Sequence, residues 1–446
     1  MDRNQLQTET ATAPTKVRWS VFTMGCLTSW MLYVHRYTFG VLKPDIAEAY
    51  GLDNASLGYL DALFSVFYGG VQIPAGMLVD VVGADLFLTA SIVTWSVGLA
   101  LHAGAPAIGC LYAGRMLLGA GQSAVFASLG WLTRQWFHES VRTTIQGWLG
   151  VFFARFGGAA TNILVATVMI GILGYGWQTV LIMLASSGLV LAGLFLIVVR
   201  NSPELHPRAN QAEIDLVGLR DTTGKSEEKK TRPSYREMLR NCPKSVRVHV
   251  LLLCFAASFS TVADHIFSGW IPMFLKNAHG LSYKEMGIYS SLPLIGGAIG
   301  GVLGGFLNDK LAARRGRRQA RRIMGTMGKG MAAVMLFIAL FVKEDPYLFC
   351  ILLGVVKIFA DISLATRWGA ITDMGGRFTA TLFAFVNSFA IVVGILGSII
   401  QGYMIPNDAN NVAGWLPVLV LGFVCYCLCA ICWACVDCTK QLSEGK

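Results

Sequence analysis

From its N-terminus onward, the chain alternates between polar stretches and runs of roughly 20 mostly apolar residues, the length at which an α-helix crosses the hydrocarbon of a bilayer. Twelve runs qualify: 18–42, 57–79, 85–104, 107–132, 143–172, 177–199, 248–276, 285–308, 322–342, 347–372, 378–404 and 413–436. Hydrocarbon offers no partner to a backbone N–H or C=O, so such spans are helices. The expected fold class is an all-α membrane protein of twelve transmembrane helices. Composition agrees: 14% of residues are charged, against about 25% in soluble domains, and mean hydropathy is +0.56. The polar leader lacks a short apolar core with a small-residue cleavage site, so no cleaved signal peptide is expected.

Lys and Arg placement sets orientation, because cytoplasmic loops carry the excess. Arg3, Lys16 and Arg18 precede the first span. Arg134 and Arg142 follow span 4. Lys310, Arg314, Arg315, Arg317, Arg318, Arg321 and Arg322 follow span 8. The alternate loops are nearly bare, with Lys43, Lys276, Lys284 and Lys343 at their edges. Both termini are therefore expected in the cytoplasm, in a cell (plasma or inner) membrane. The same asymmetry accounts for the net charge of +10 and leaves no soluble basic domain for nucleic acid. Six cysteines (425, 427, 429, 432, 435 and 438) crowd the last span. They read as small apolar residues of a lipid-facing helix, with Cys435 and Cys438 placed for lipidation at its cytoplasmic end.

Residues 200–246 form the one long polar break, with six spans on either side. A duplication is visible at an offset of 229 residues. Gly51, Leu52, Gly58, Gly76 and Asp80 align with Gly280, Leu281, Gly287, Gly305 and Asp309. The expected divisions are a leader (1–17), an N-terminal bundle (18–199), a cytoplasmic linker (200–246), a C-terminal bundle (247–437) and a tail (438–446). Two parallel six-helix halves are the plan of the major facilitator fold, with a substrate site between the halves near the midplane and rocking as the transport motion.

Ionisable residues inside spans are functional candidates by default. Tyr33, Arg36 and Gly40 share one face of span 1. A guanidinium facing a cavity matches a carboxylate or phosphate. At a helix centre it costs roughly 3 kcal/mol, so it needs an anionic partner: a substrate, or Asp61, Asp264 or Asp361 as a fixed one. His35, about 100° around the helix, is either a proton carrier or a neutral packing residue. Arg115 and Gln122 lie in span 4, and Arg155 and Asn162 share a face of span 5. Asp264, His265 and Trp270 lie in span 7. Span 10 holds Lys357 and Asp361, spaced to pair with each other, then Arg367 and Trp368. Asn387 lies in span 11.

Five stretches carry a family resemblance. "YVHRYTFGVLKPDI" (33–46), "GLDNASLGYLDALFSVFYGGVQIPAGMLVD" (51–80), "WFHESVR" (136–142), "NSPELHPRANQAE" (201–213) and "GGFLNDKLAARRGRRQARR" (304–322) resemble the anion:cation symporters of the major facilitator superfamily. That group includes galactonate, hexuronate and glucarate transporters and the animal sialin and vesicular glutamate carriers. The resemblance implies a carrier of organic anions, often proton-driven. It implies substrate contacts from Tyr33, Arg36, Tyr68, Trp368 and Asn387; Arg155 and Trp270 are further substrate-binding candidates from their place inside spans 5 and 7. It implies conformational gating by Gly76, Asp80, Arg142, Gly305, Asp309 and Lys310. Two departures bear on coupling. His35 stands where proton-coupled members usually keep an acid in helix 1, and Gln122 where they keep a glutamate in helix 4. His35, Asp61, Gln122, Asp264 and His265 are therefore the coupling candidates, for H+ or Na+. "DVVGAD" also lacks the arginines that the family places after Asp80.

The expected function is secondary transport of a small organic anion, a carboxylate such as a sugar acid, by a chain functional as a monomer. An organophosphate exchanger and a non-transporting sensor on the same scaffold are the alternatives. No nucleophile–base constellation, phosphate-binding glycine loop or metal-ligand spacing is present, so neither an enzyme nor a cofactor or metal is expected.

Overall fold

The computed structural model describes residues 13–103, 108–138, 141, 145–217, 244–375, 379–408, 411–440 and 442. The described residues form twelve long helices. In the first half these are α1 (Val17–Tyr50), α2 (Asn54–Val82), α3 (Ala84–Ala103), α4 (Ile108–Trp136), α5 (Ile145–Ile172) and α6 (Trp177–Val198). In the second they are α7 (Lys244–Ala278), α8 (Tyr283–Arg315), α9 (Arg317–Phe341), α10 (Pro346–Gly375), α11 (Thr379–Met404) and α12 (Ala413–Cys435). Eleven are apolar and long enough to cross a membrane. The twelfth is α1, whose 34 residues carry Arg36 and Lys43 and pack within the same bundle.

The two halves repeat each other's packing. α2 lies on α4 as α8 lies on α10. α3 contacts α4 and α6 as α9 contacts α10 and α12, and α1 meets α5 as α7 meets α11. The 229-residue repeat is visible atom by atom in the turns. Gly51 and Gly280 both take φ 63°, the left-handed conformation that ends α1 and the chain leading to α8, which glycine adopts without a Cβ penalty. Two residues beyond each glycine, equivalent caps start the next helix. The Asp53 side chain accepts from the Ser56 N–H at 2.9 Å, and Ser282 forms a capping box with Glu285, satisfying otherwise orphaned N–H groups.

The halves meet along two seams, α2 on α11 and α5 on α8. At the end of the bundle away from the linker, these seams are closed. Asn54 Nδ2 donates to the Pro406 carbonyl at 2.8 Å, the Tyr59 and Tyr403 hydroxyls lie 2.9 Å apart, Asn162 Nδ2 donates to Ser290 O at 2.9 Å, and Tyr283 donates to Asp45. Gly58 lies against Ser398 O and Gly402, and Gly287 against Asn162 O and Thr167, so a Cβ at either would collide with the opposing helix. At the linker end, the equivalent glycines Gly76 and Gly305 face open space.

Several expectations are revised. The basic stretch 310–322 is helical, not loop: α8 continues to Arg315 and α9 starts at Arg317, with only Gly316 at φ 78° between them. Long cationic side chains let helix ends project beyond the apolar layer. The linker is not a free polar tether over its first part. A short helix, Gln211–Val217, docks beneath α1, where the buried Glu213 accepts from Thr15, from Val17 N at 3.2 Å and from Arg18 N at 2.9 Å. It thereby caps the first turn of α1, which Lys16 leaves uncapped. Nor is the cysteine-rich face of α12 turned to lipid: Cys425, Cys429, Cys432 and Cys438 are buried and Cys435 alone is exposed. Their small volume lets α12 approach α7 and α9 closely, and Cys429 Sγ contacts Ala256 O at 3.2 Å.

Candidate functional site

Between the halves lies a cavity of about 1050 Å³ that begins near the middle of the bundle and reaches the linker end. The residues that close the opposite end do not line it. Both repeats contribute to its walls, and among the described residues seven Lys and Arg side chains face it against four Asp.

Helix α1 supplies Arg36, one turn from Tyr33 on the same face. The guanidinium is walled by aromatic rings, 5.2 Å from the Tyr33 centroid, 5.3 Å from Phe64 and 4.7 Å from Tyr68. Ring faces attract a cation without neutralising it. Arg36 Nε donates to Gln122 Oε1 at 2.9 Å, and Gln122 Nε2 donates to Leu32 O at 3.1 Å. The amide is thus a strut fixing the guanidinium plane. It is positioned by a break in α4, which unwinds at Ser123–Ala124 immediately after Gln122. Arg36 Nη2 is buried and has no hydrogen-bond partner, and Arg36 has no carboxylate within ion-pair distance among the described residues.

The three acids considered as fixed partners are taken by other cations. Asp61 receives Lys43 at 2.6 Å and Arg115 at 2.8 Å, with His265 Nε2 at 3.4 Å from across the gap. Lys43 is fully buried, its Nζ 3.4 Å from the centroid of Trp270. Asp264 binds Lys357 at 2.6 Å and accepts from the Tyr426 hydroxyl at 3.0 Å. Asp361 binds Lys357 at 2.9 Å, the pairing its spacing suggests, and Arg155 from the other half at 3.2 Å. Among the described residues, the carboxylate pairs that cross between the halves here are Asp61–His265 and Arg155–Asp361. Arg155 sits on a stretch of α5 flanked by π-helical turns at Trp148–Phe152 and Asn162–Ile172, a winding found often at functional sites.

Of the residues expected to bind substrate, Tyr33, Arg36, Tyr68, Arg155, Trp368 and Asn387 line the cavity and Trp270 does not, being buried over Lys43. Of the coupling candidates, Asp61, Asp264 and His265 line it. His35 faces away, fully buried inside the first half, where its Nδ1 accepts from Trp95 Nε1 at 3.1 Å. Gln122 is buried behind Arg36. Of the gating residues, Gly305 and Asp309 line the linker end of the cavity, Gly76 lies at the same end of α2, and Lys310 is exposed with Nζ 5.9 Å from the Phe306 ring. Asp80 lies in the last turns of α2. Arg142 lies outside the described residues.

Sequence reasoning missed Lys43 and Lys329. Lys43 looked like a loop-edge residue because the apolar run was ended there, yet Arg36, Gly40 and Lys43 continue one helical face. Lys329, buried in α9, donates to Ser260 Oγ at 2.8 Å. Its signal was available as the sole lysine inside an otherwise apolar span.

The family pattern of the Major Facilitator Superfamily matches residues 25–319. The chain belongs to that superfamily. It is 27% identical over 396 residues to a probable sulfoacetate transporter of Cupriavidus necator, covering 89% of each chain. It is 27% identical over 303 residues to a probable galactarate/D-glucarate transporter of Bacillus subtilis, covering 64% of this chain and 63% of that one. It is 22% identical over 282 residues to the hexuronate transporter of Escherichia coli, covering 63% and 62%. The chain thus spans slightly under two thirds of the latter two. Among solved structures, a bacterial homologue of the human lysosomal transporter Spinster superposes with a TM-score of 0.76 at 16% identity, covering 94% of this chain and 97% of that one. A D-xylose–proton symporter superposes with a TM-score of 0.71 at 14% identity, covering 94% and 98%. The superfamily match and the curated relatives place the chain among membrane transporters rather than enzymes.

Proposed function

We propose that this protein carries a small organic anion, of the carboxylate or sugar-acid class, across a cell membrane by alternating access, with Arg36 as the anion's anchor. The observation that carries this reading is a guanidinium in the central cavity that is ring-walled, oriented by Gln122 and, among the described residues, left without a carboxylate. Among the described residues, Asp61, Asp264 and Asp361 are engaged elsewhere, so the missing counter-charge is one that comes and goes. Sequence relatives named for sulfoacetate, galactarate/glucarate and hexuronate transport agree with that chemistry.

Alternating access is supported by the paired glycines. Gly58 and Gly287 pack tightly at the closed end, while Gly76 and Gly305, on the same two helices, stand free at the open end. Rocking would exchange the roles of the two pairs. With the linker end in the cytoplasm, as its cationic residues favour, this is an inward-open conformation. For coupling to H+, we favour the Asp61–His265 contact, which spans the halves and faces the cavity in the company of Lys43 and Arg115. His35 is sealed from the cavity, which favours a packing role. The reading takes the monomer as the functional unit, with no cofactor. The test is counterflow in proteoliposomes: protein loaded with unlabelled sugar acid should accumulate the labelled acid transiently. Saturable binding without counterflow would instead indicate a sensor.

A further inference from the structure

The charge inventory of the cavity goes further. Once Asp61, Asp264 and Asp361 are assigned to Lys43, Arg115, Lys357 and Arg155, and Arg321 to Asp373 at 3.1 Å, two lining guanidinium groups remain without a carboxylate among the described residues. Arg36 is one. The other is Arg367, on α10 in the opposite half, whose Nε is also buried without a hydrogen-bond partner. A buried charged donor left unmade is costly in a native protein, and here there are two, one on each moving half. Lys329, whose Nζ donates to Ser260 Oγ and lies 5.0 Å from the Tyr426 ring centroid, adds to the excess on the Arg367 side.

We propose that the transported anion carries two separate anionic groups, one held by Arg36 and the other by Arg367. This rests on the reading of the cavity as an anion site. A monoanion would satisfy one guanidinium and leave the other bare as the linker end closes. Closure moves the two halves together and excludes water, so like charges repel more strongly across the gap. An anionic group on each arginine removes that repulsion and joins the halves. The second charge therefore does more than tighten binding: it favours the closed cavity that alternating access requires. Charge-assisted, two-pronged contacts of this kind with carboxylates are the preferred use of arginine over lysine.

The test uses matched probes on the purified full chain: succinate against its monoamide succinamate, and galactarate against galactonate. Dissociation constants come from thermal stabilisation across a concentration series, since ligand binding raises apparent stability by mass action. The proposal expects the diacid of at least one pair to bind about tenfold or more tightly than its monoacid, a difference typical of one added charge-assisted contact. Arg367→Gln should abolish that ratio, and Arg367→Lys should keep part of it. Equal affinities in both pairs for the wild-type protein overturn the proposal without needing any variant. So does a ratio that survives in Arg367→Gln. Tighter binding of a phosphate monoester such as glycerol phosphate than of either diacid also overturns it, assigning both arginines to one doubly charged group. If no probe binds, or if Arg36→Gln binds all of them as wild type does, the anion-site reading itself falls, a result distinct from an Arg367 failure.

Discussion

Replacing Asp61 by asparagine removes the single carboxylate that serves two buried cations. Lys43 is fully buried and Arg115 is 3% exposed, and their contacts to separate Asp61 oxygens are 2.6 and 2.8 Å. Breaking a buried pair from one side costs about 3–5 kcal/mol, chiefly because it strands the remaining charge. Asp61→Asn strands two cations at once and should fall at or beyond the upper end of that range. Lys43→Met strands none, since Asp61 keeps Arg115, and the methionine fills most of the volume beside Trp270. Its cost should stay under about 2 kcal/mol, in line with volume-conserving core changes. The double variant Asp61→Asn/Lys43→Met should recover part of the Asp61→Asn loss, a positive coupling of roughly 1–3 kcal/mol, as expected for residues in one network. Reversible unfolding of the purified protein in mixed micelles of increasing denaturing detergent measures all three. Lys43→Met at least as destabilising as Asp61→Asn, or additive single losses, would refute the view of Asp61 as the shared counter-ion.

Other expectations concern neighbouring parts of the cavity. Gln122→Glu places a carboxylate 2.9 Å from Arg36 Nε and should weaken anion binding by about tenfold or more, because the anchor then has an internal counter-ion; titration of the purified variant with galactarate checks it. Gly58→Leu should block closure at the seam with Ser398 and Gly402 and abolish counterflow, whereas Gly76→Leu should leave binding from the open end unchanged while also stopping the cycle. His35→Ala should lower stability by about 2–5 kcal/mol as a large-to-small core change with no effect on anion affinity, read from the same unfolding and binding assays. Glu213→Ala should cost about 0.5–2 kcal/mol, the range of a lost helix cap, with counterflow retained.

Much of the fold was legible because lipid imposes simple rules. Runs of apolar residues had to be helices, and the 229-residue repeat identified equivalent turns down to the shared φ of Gly51 and Gly280. Arg36 was legible for the same reason, since a charge in a span demands an explanation. Partner choice was not. Tyr33 and Arg36 follow from helical spacing, but Arg155 meeting Asp361, or His265 meeting Asp61, joins residues from different halves. Only the docking of the halves decides those pairs. Helix limits were missed where charged residues continue a helix past the apolar run, as at Lys43 and at 310–315. The roles of His35 and Gln122 depended on rotation about a helix axis. One residue of difference turns His35 into the core while Arg36 faces the cavity.

The central claim is that Arg36 holds the transported anion. Its most direct test is uptake of labelled galactarate, or of whichever acid stabilises the purified protein most, into proteoliposomes containing either wild-type protein or Arg36→Lys. Lysine keeps the charge but loses the planar, bidentate fork. The account predicts saturable uptake by the wild type and loss of most uptake by Arg36→Lys, with both proteins unfolding at closely similar temperatures in the absence of substrate. Wild-type uptake by Arg36→Lys would contradict it.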